Sequence, residues 1–249
     1  MPLNTHGPSL VIGAAIAIVS VLSAVVVFGT DFIDFKQSAR TKDLSVMSPK
    51  IPDAQEKSQS DTYVMSLFTD NASPVLGSDS APITLVEFGD YQCFYCNRFF
   101  HTTEPDIEKN YVDTGKVKMI FKDFTIIGQD SINAAHAAHC AQEEGKFWEF
   151  HDILYNNWTG ENNGWASPSN IAGFAKQLEL DEENFSSCMS EARYLSVIKT
   201  SNSDAKTLGL TGTPGFFVIG PDNSITKLSG AQPYEVFEEI FSSKLEKVK

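Results

Sequence analysis

The apolar and polar positions divide the chain into three unequal parts. From Ser9 to Thr30 it carries no charged residue and is dominated by Val, Ala, Ile and Leu. That run is long enough to cross a bilayer, exceeds the apolar core of a secretion signal, and has no polar face. It predicts an N-terminal transmembrane helix at 9–30, preceded by a short tail at 1–8. No Lys or Arg precedes the run, so an uncleaved anchor is preferred to a signal cleaved near Val27-Phe28-Gly29. Residues 31–60 are polar, mixed in charge and interrupted by Pro49 and Pro52, the pattern of a flexible tether. Residues 61–249 read as one folded domain.

Within that domain, residues 62–68 predict a short helix and 74–77 a brief edge strand. Residues 83–88 form a β-branched, apolar run expected to be a buried strand. It breaks at Gly89-Asp90, and 97–112 carries apolar residues at helical spacing. Residues 116–123 read as a second core strand. From Asp130 to about Thr207 the pattern turns helical, with segments at 131–144, 147–157 and 170–178. The third follows a Ser167-Pro168 start; another begins at Asp181, and a last one runs from Ser190 or Glu191 to Leu208. Strands return at 215–219 and 225–229 around a turn at 221–224. An amphipathic helix at 233–247 closes a β-α-β, helices, β-β-α order.

Composition narrows the function. The 249 residues are 42% apolar and 11% aromatic, enough for a sizeable core, and the net charge of −13 argues against nucleic acid as a partner. Lys36, Arg40 and Lys42 follow the apolar span, and the positive-inside rule taken literally would put the domain in the cytoplasm. Disulfide chemistry requires an oxidising side, and the expected location is extracytoplasmic.

That chemistry rests on Cys93 and Cys96, which follow the first strand and precede a helix. In this context a Cys-x-x-Cys is a redox motif. Zinc normally takes four ligands, and no second such pair is present. Cys93 at a helix N-terminus would meet unpaired N–H groups and the positive dipole end, which stabilise a thiolate. Cys96, one turn further, would be partly buried. Glu87 lies inside the apolar strand, costly for a lone carboxylate, and Lys122 on the neighbouring strand is its candidate partner. Cys140 and Cys188 are expected to pair as a structural disulfide; two buried free thiols or an electron relay to Cys93 are the alternatives. His136, His139 and Cys140 share a helix face, read as a packed surface and not as a metal site.

The chain resembles the DsbA-like disulfide oxidoreductases of the thioredoxin superfamily. Four stretches carry the resemblance: Val86-Glu87-Phe88 with Tyr91-Gln92-Cys93-Phe94-Tyr95-Cys96; Phe121-Lys122-Asp123-Phe124; 134–138 with 145–151; and Gly212-Thr213-Pro214-Gly215-Phe216-Phe217-Val218. It implies a thioredoxin-like α/β fold with a helical domain inserted at about 130–207. It also implies a cis Thr213–Pro214 bond facing the cysteines, where backbone is offered to an extended substrate. Glu87 would handle the proton of Cys96. The dipeptide Phe94-Tyr95 lacks the histidine of the strongly oxidising enterobacterial member, so one source of thiolate stabilisation is missing.

The expected function is a single-pass, membrane-anchored enzyme that introduces disulfides into reduced exported proteins through a redox-active Cys93–Cys96 disulfide. A membrane, quinone-linked reoxidase is its partner by family analogy, with no cofactor and no metal. A reductase or isomerase of the same fold is the rival, separated by redox potential. A membrane-tethered copper-delivery module using Cys93, Cys96 and a histidine is a second, and a non-catalytic thioredoxin-fold binding module a third.

Overall fold

The computed structural model describes residues 54–248, with side chains over 62–247. The tail at 1–8, the span at 9–30 and most of the tether lie outside the described residues. Among these residues no helix is long and apolar enough to cross a membrane. The end of the predicted tether is helical: α1 (Ala54–Thr69) starts well before the helix expected at 62–68. It stops where Asn71 takes a left-handed φ of 54°, a conformation Asn tolerates at helix ends.

Four strands make one mixed sheet in the order β2-β1-β3-β4: β1 (Ile83–Gly89), β2 (Val117–Asp123), β3 (Gly215–Ile219) and β4 (Ile225–Ser229). β1 runs parallel to β2 and antiparallel to β3, which pairs antiparallel with β4. β1, β2 and β3 are largely apolar and buried because both of their faces are covered, whereas edge strand β4 is partly exposed. Leu85, Phe216 and Val218 look toward α2 (Phe94–Thr102) and α9 (Tyr234–Leu245), packing with Phe99, Phe237 and Phe241. Val86, Phe88, Ile120 and Phe217 look the other way, toward Phe68 of α1 and Ala205 of α8 (Leu195–Thr207). The strand expected at 74–77 reduces to a single bridge between Leu76 and Met119.

The helix expected at 97–112 starts earlier and is broken. It begins at Phe94, with Cys93 as N-cap, and stops at Thr103; α3 (Glu104–Ile107) and a π-helical turn (Glu108–Val112) follow. Pro105 explains the break, since its ring opposes the carbonyl one turn back and it has no N–H to donate.

The insertion comprises α4 (Gln129–Gln142), α5 (Phe147–Asn156), α6 (Pro168–Gln177), α7 (Glu182–Ser190) and α8. Ser167 and Asp181 cap α6 and α7, accepting from Asn170 N at 3.4 Å and Asn184 N at 2.8 Å. Ala192, at a φ of 56°, turns the chain, so α8 begins at Leu195 and not near 190. Cys140 and Cys188 are disulfide-bonded, tying α4 to α7 with 5.8 Å between their Cα atoms.

Candidate active site

The loop from β1 to α2 is held by polar side chains that the sequence reading did not single out. Asp90 is fully buried, its Oδ1 accepting from Gln92 N at 2.9 Å and its Oδ2 from Ile126 N at 2.8 Å and Ile127 N at 3.1 Å. Gln92 donates to Ser131 Oγ at 2.9 Å and accepts from Asn162 N at 2.6 Å, while its carbonyl accepts from Trp158 Nε1 at 2.8 Å. The Gly89-Asp90 break was visible in the chain; the partners, far away in sequence, were not.

This clamp sets Cys93 as the N-cap of α2, with extended backbone. Both Cys93 and Cys96 are free thiols, Cys93 6% exposed and Cys96 wholly buried. Cys93 Sγ donates to the Thr213 carbonyl at 3.4 Å, and the Thr213–Pro214 peptide beside it is cis. A hydrogen bond from the Cys96 thiol is the largest influence on Cys93, opposed by desolvation. Hydrogen bonds from the Thr213 side chain and from the first N–H groups of α2 add to it, and together they bring its pKa down to about 6. Cys96 moves the other way: burial raises its pKa well above the ordinary thiol value, reinforced by its bond to Cys93 and by negative charge on Cys93 and Glu87. The two sulfurs are thus unequal, one a ready thiolate and one a thiol.

Glu87 is buried on the face of β1 that looks toward α2, and its Oε1 has no hydrogen-bond partner. Burial, then the charges of Glu104 and Cys93, raise its pKa well above the carboxylate range. Lys122 is not its partner. Successive residues on a strand face opposite sides, and in this register Glu87 lies beside Phe121 while Lys122 lies beside Phe88. Lys122 Nζ therefore sits on the far face, donating to Asp204 Oδ2 at 2.8 Å and to the Asp70 carbonyl. The geometry gives it no contact with the reacting sulfurs.

Exposed aromatic side chains surround Cys93. Phe94 and Tyr95 are about half exposed, Phe94 packs 6.0 Å from Trp158, and Ile126 is exposed on the adjacent loop. The face of α4 read as packed is packed: His139 Nε2 meets Asp123 Oδ2 at 2.7 Å. His136 lies near Cys140 and Cys188, whose sulfurs are bonded to each other, which removes the thiolates a metal would need.

A split β-α-β and β-β-α core, a helical insertion, a Cys-x-x-Cys at a helix N-terminus and a cis-proline loop against it define a class. A family model described as Thioredoxin (Thioredoxin_4) matches residues 69–240. The chain belongs to this family, as a DsbA-like thiol–disulfide oxidoreductase. It is 28% identical over 158 residues to the probable disulfide bond formation protein D of Bacillus anthracis, covering 62% of this chain and 73% of that protein. To disulfide bond formation protein D of Bacillus subtilis it is 30% identical over 148 residues, 58% of this chain and 67% of that one. The crystal structure of oxidised BdbD from Bacillus subtilis superimposes with a TM-score of 0.63 at 27% identity, covering 70% of this chain and 93% of that one.

Proposed function

We propose that this oxidoreductase acts as an oxidase, introducing disulfides into reduced proteins exported from the cytoplasm. The reading rests on the inequality of its two sulfurs. A Cys93 pKa of about 6 stabilises the dithiol form, and a stabilised dithiol form makes the disulfide the stronger oxidant. A substrate thiolate attacks Cys93 Sγ of the Cys93–Cys96 disulfide; Cys96 leaves as a thiolate and takes a proton. A second substrate thiolate then attacks the substrate sulfur of the mixed disulfide, releasing Cys93 as thiolate and the substrate oxidised. Glu87 is the proton donor to Cys96, and Thr213 and Pro214 present backbone to the substrate segment. Cys140 and Cys188 serve as a structural pair. A membrane, quinone-linked reoxidase restores the disulfide, by family analogy, and the span at 9–30 anchors the domain on the extracytoplasmic side of the membrane.

The deciding measurement is the reduction potential of Cys93/Cys96 against glutathione. A potential near or above the glutaredoxin range, about −200 mV, supports an oxidase. A thioredoxin-like value of about −270 mV turns the reading to a reductase. Topology is tested separately: a membrane-impermeant thiol reagent should reach the reduced domain in intact cells, and protection until lysis overturns the extracytoplasmic placement.

A further inference from the structure

Behind the cysteines lies a cluster of buried titratable groups with unmet hydrogen bonds. Six buried side-chain polar atoms have no partner among the described residues; four of them are Glu87 Oε1, Tyr155 hydroxyl, His151 Nε2 and Glu104 Oε2. All four residues are at most 2% exposed. An unpaired buried polar group typically costs about 1–3 kcal/mol, so a cluster of them is not neutral packing.

Glu104, His151 and Tyr155 gather around Tyr91, and Glu87 lies beside Phe121, whose ring is 5.0 Å from those of Tyr91 and His151. The Tyr91 hydroxyl and His151 Nδ1 are 3.0 Å apart, and His151 Nε2 lies 3.7 Å from Glu104 Oε1, a gap that one water or a small rotation closes. The Tyr155 ring lies 4.9 Å from His151 and 5.0 Å from Tyr91. At the inner end, Tyr155 and Glu87 both feel the Cys pair, and Glu87 feels Glu104. At the outer end Glu104 opens into a surface recess of about 220 Å³ formed with Phe100, His101, Glu108, Asp152 and Asn156. Burial, then the charge of Glu104, brings the Glu108 pKa up to about 7, and burial raises that of Asp152.

We infer that Glu104 and His151 form a proton relay connecting Glu87, behind Cys96, with solvent at the Glu108–Asp152 recess. The inference rests on the thiol exchange proposed above. When the Cys93–Cys96 disulfide opens, the S–S electron pair leaves on Cys96, and Glu87 gives its proton to that thiolate. Glu87 carboxylate is then reprotonated from Glu104 and His151, and these from the recess, so one proton enters per disulfide opened. Re-forming the disulfide sends it back along the same groups. Glu87 needs such a route because its carboxyl is sealed from bulk solvent. The titratable groups facing the relay are Glu87 on β1, Tyr91 on the loop, Cys93 and Cys96 at the start of α2, and Glu108 after α3. His101 on α2, His151, Asp152 and Tyr155 on α5 and Asp123 at the end of β2 also face it.

The test is single-turnover reduction of the oxidised domain by dithiothreitol between about pH 5 and pH 9, with Glu104→Gln. Gln keeps the shape and removes the carboxylate that takes up and gives up a proton. Disulfide opening should slow by about threefold or more, with a larger solvent isotope effect, and added imidazole should restore the rate. Cys93 should still titrate near 6, which separates a relay from a disturbed thiolate. A variant within about threefold of wild type at every pH, a slowed one that imidazole does not rescue, or a shifted Cys93 titration overturns the relay. If E104Q does not fold, Glu108→Gln at the rim is judged by the same criteria. A wild-type protein inert to dithiothreitol overturns the exchange reading and the relay together. A low potential overturns only the oxidase direction.

Discussion

The low pKa of Cys93 has Cys96 as its largest cause, and Cys96→Ala isolates it. A hydrogen bond to a charged acceptor contributes about 1.5–3 kcal/mol, and about 1.4 kcal/mol corresponds to one pH unit. Losing the Cys96 thiol should therefore raise the Cys93 pKa from about 6 by roughly one to two units, to about 7 or 8. At pH 7 the thiolate fraction falls from about 90% to between about 10% and 50%. Thiolate ultraviolet absorbance against pH gives the midpoint directly, and the alkylation rate against pH checks it with an independent probe. Cys96→Ser restores a donor at the same place and should return most of the shift. A Cys96→Ala midpoint that stays near 6 would refute the assignment and leave the thiolate to Thr213 and the first turn of α2.

Other outcomes follow from the same geometry. Cys93 has a folded pKa below its unfolded value, so between about pH 6 and pH 9 the unfolded chain binds the proton and the native dithiol does not. The stability of the reduced form relative to the oxidised form should rise with pH across that window and be lost as pH falls through about 6, read from paired melting curves; Glu87, present in both forms, largely cancels. Glu87 carries the opposite sign, its folded pKa being raised, and Glu87→Gln should stabilise the domain at pH 7. That gain should vanish near pH 4, and disulfide opening should slow. Equal denaturation midpoints at both pH values would contradict this. Replacing Cys140 and Cys188 with Ala opens a loop of 48 residues, a loss of about 4 kcal/mol on the chain-entropy model. The melting temperature should fall by roughly 10 °C with dithiol exchange near wild type below it; lost exchange in a folded protein would favour an electron relay.

The strands were legible because β1, β2 and β3 are buried on both faces and leave runs rich in apolar and β-branched residues, even with Glu87 and Lys122 inside them. The break at Thr103 was legible in principle, since Pro105 stood in the chain. The pairing of Glu87 with Lys122 failed for a definable reason: adjacency of two strands says nothing of register, and an offset of one residue moves a side chain to the opposite face. The meeting of Glu104 and His151 left no local sign. They lie on separate helices, and each alone reads as an ordinary polar residue until the fold brings Nε2 within 3.7 Å of the carboxylate.

The clamp around Asp90 and Gln92 bears on how a client is admitted. Five hydrogen bonds hold these two residues: three, with Ser131, Asn162 and Trp158, fasten the cysteine loop to the insertion, and two, with Ile126 and Ile127, fasten it to the segment leading into α4. At about 1 kcal/mol each, releasing the cysteine loop from all five would be populated at only about one part in several thousand. The enzyme is a fixed socket, and all the adaptation falls to the visitor. Under the proposed function, a chain already folded around its cysteines would not drape into such a socket, whereas one still slack would, and the rigidity of the loop itself would favour unfinished proteins over finished ones.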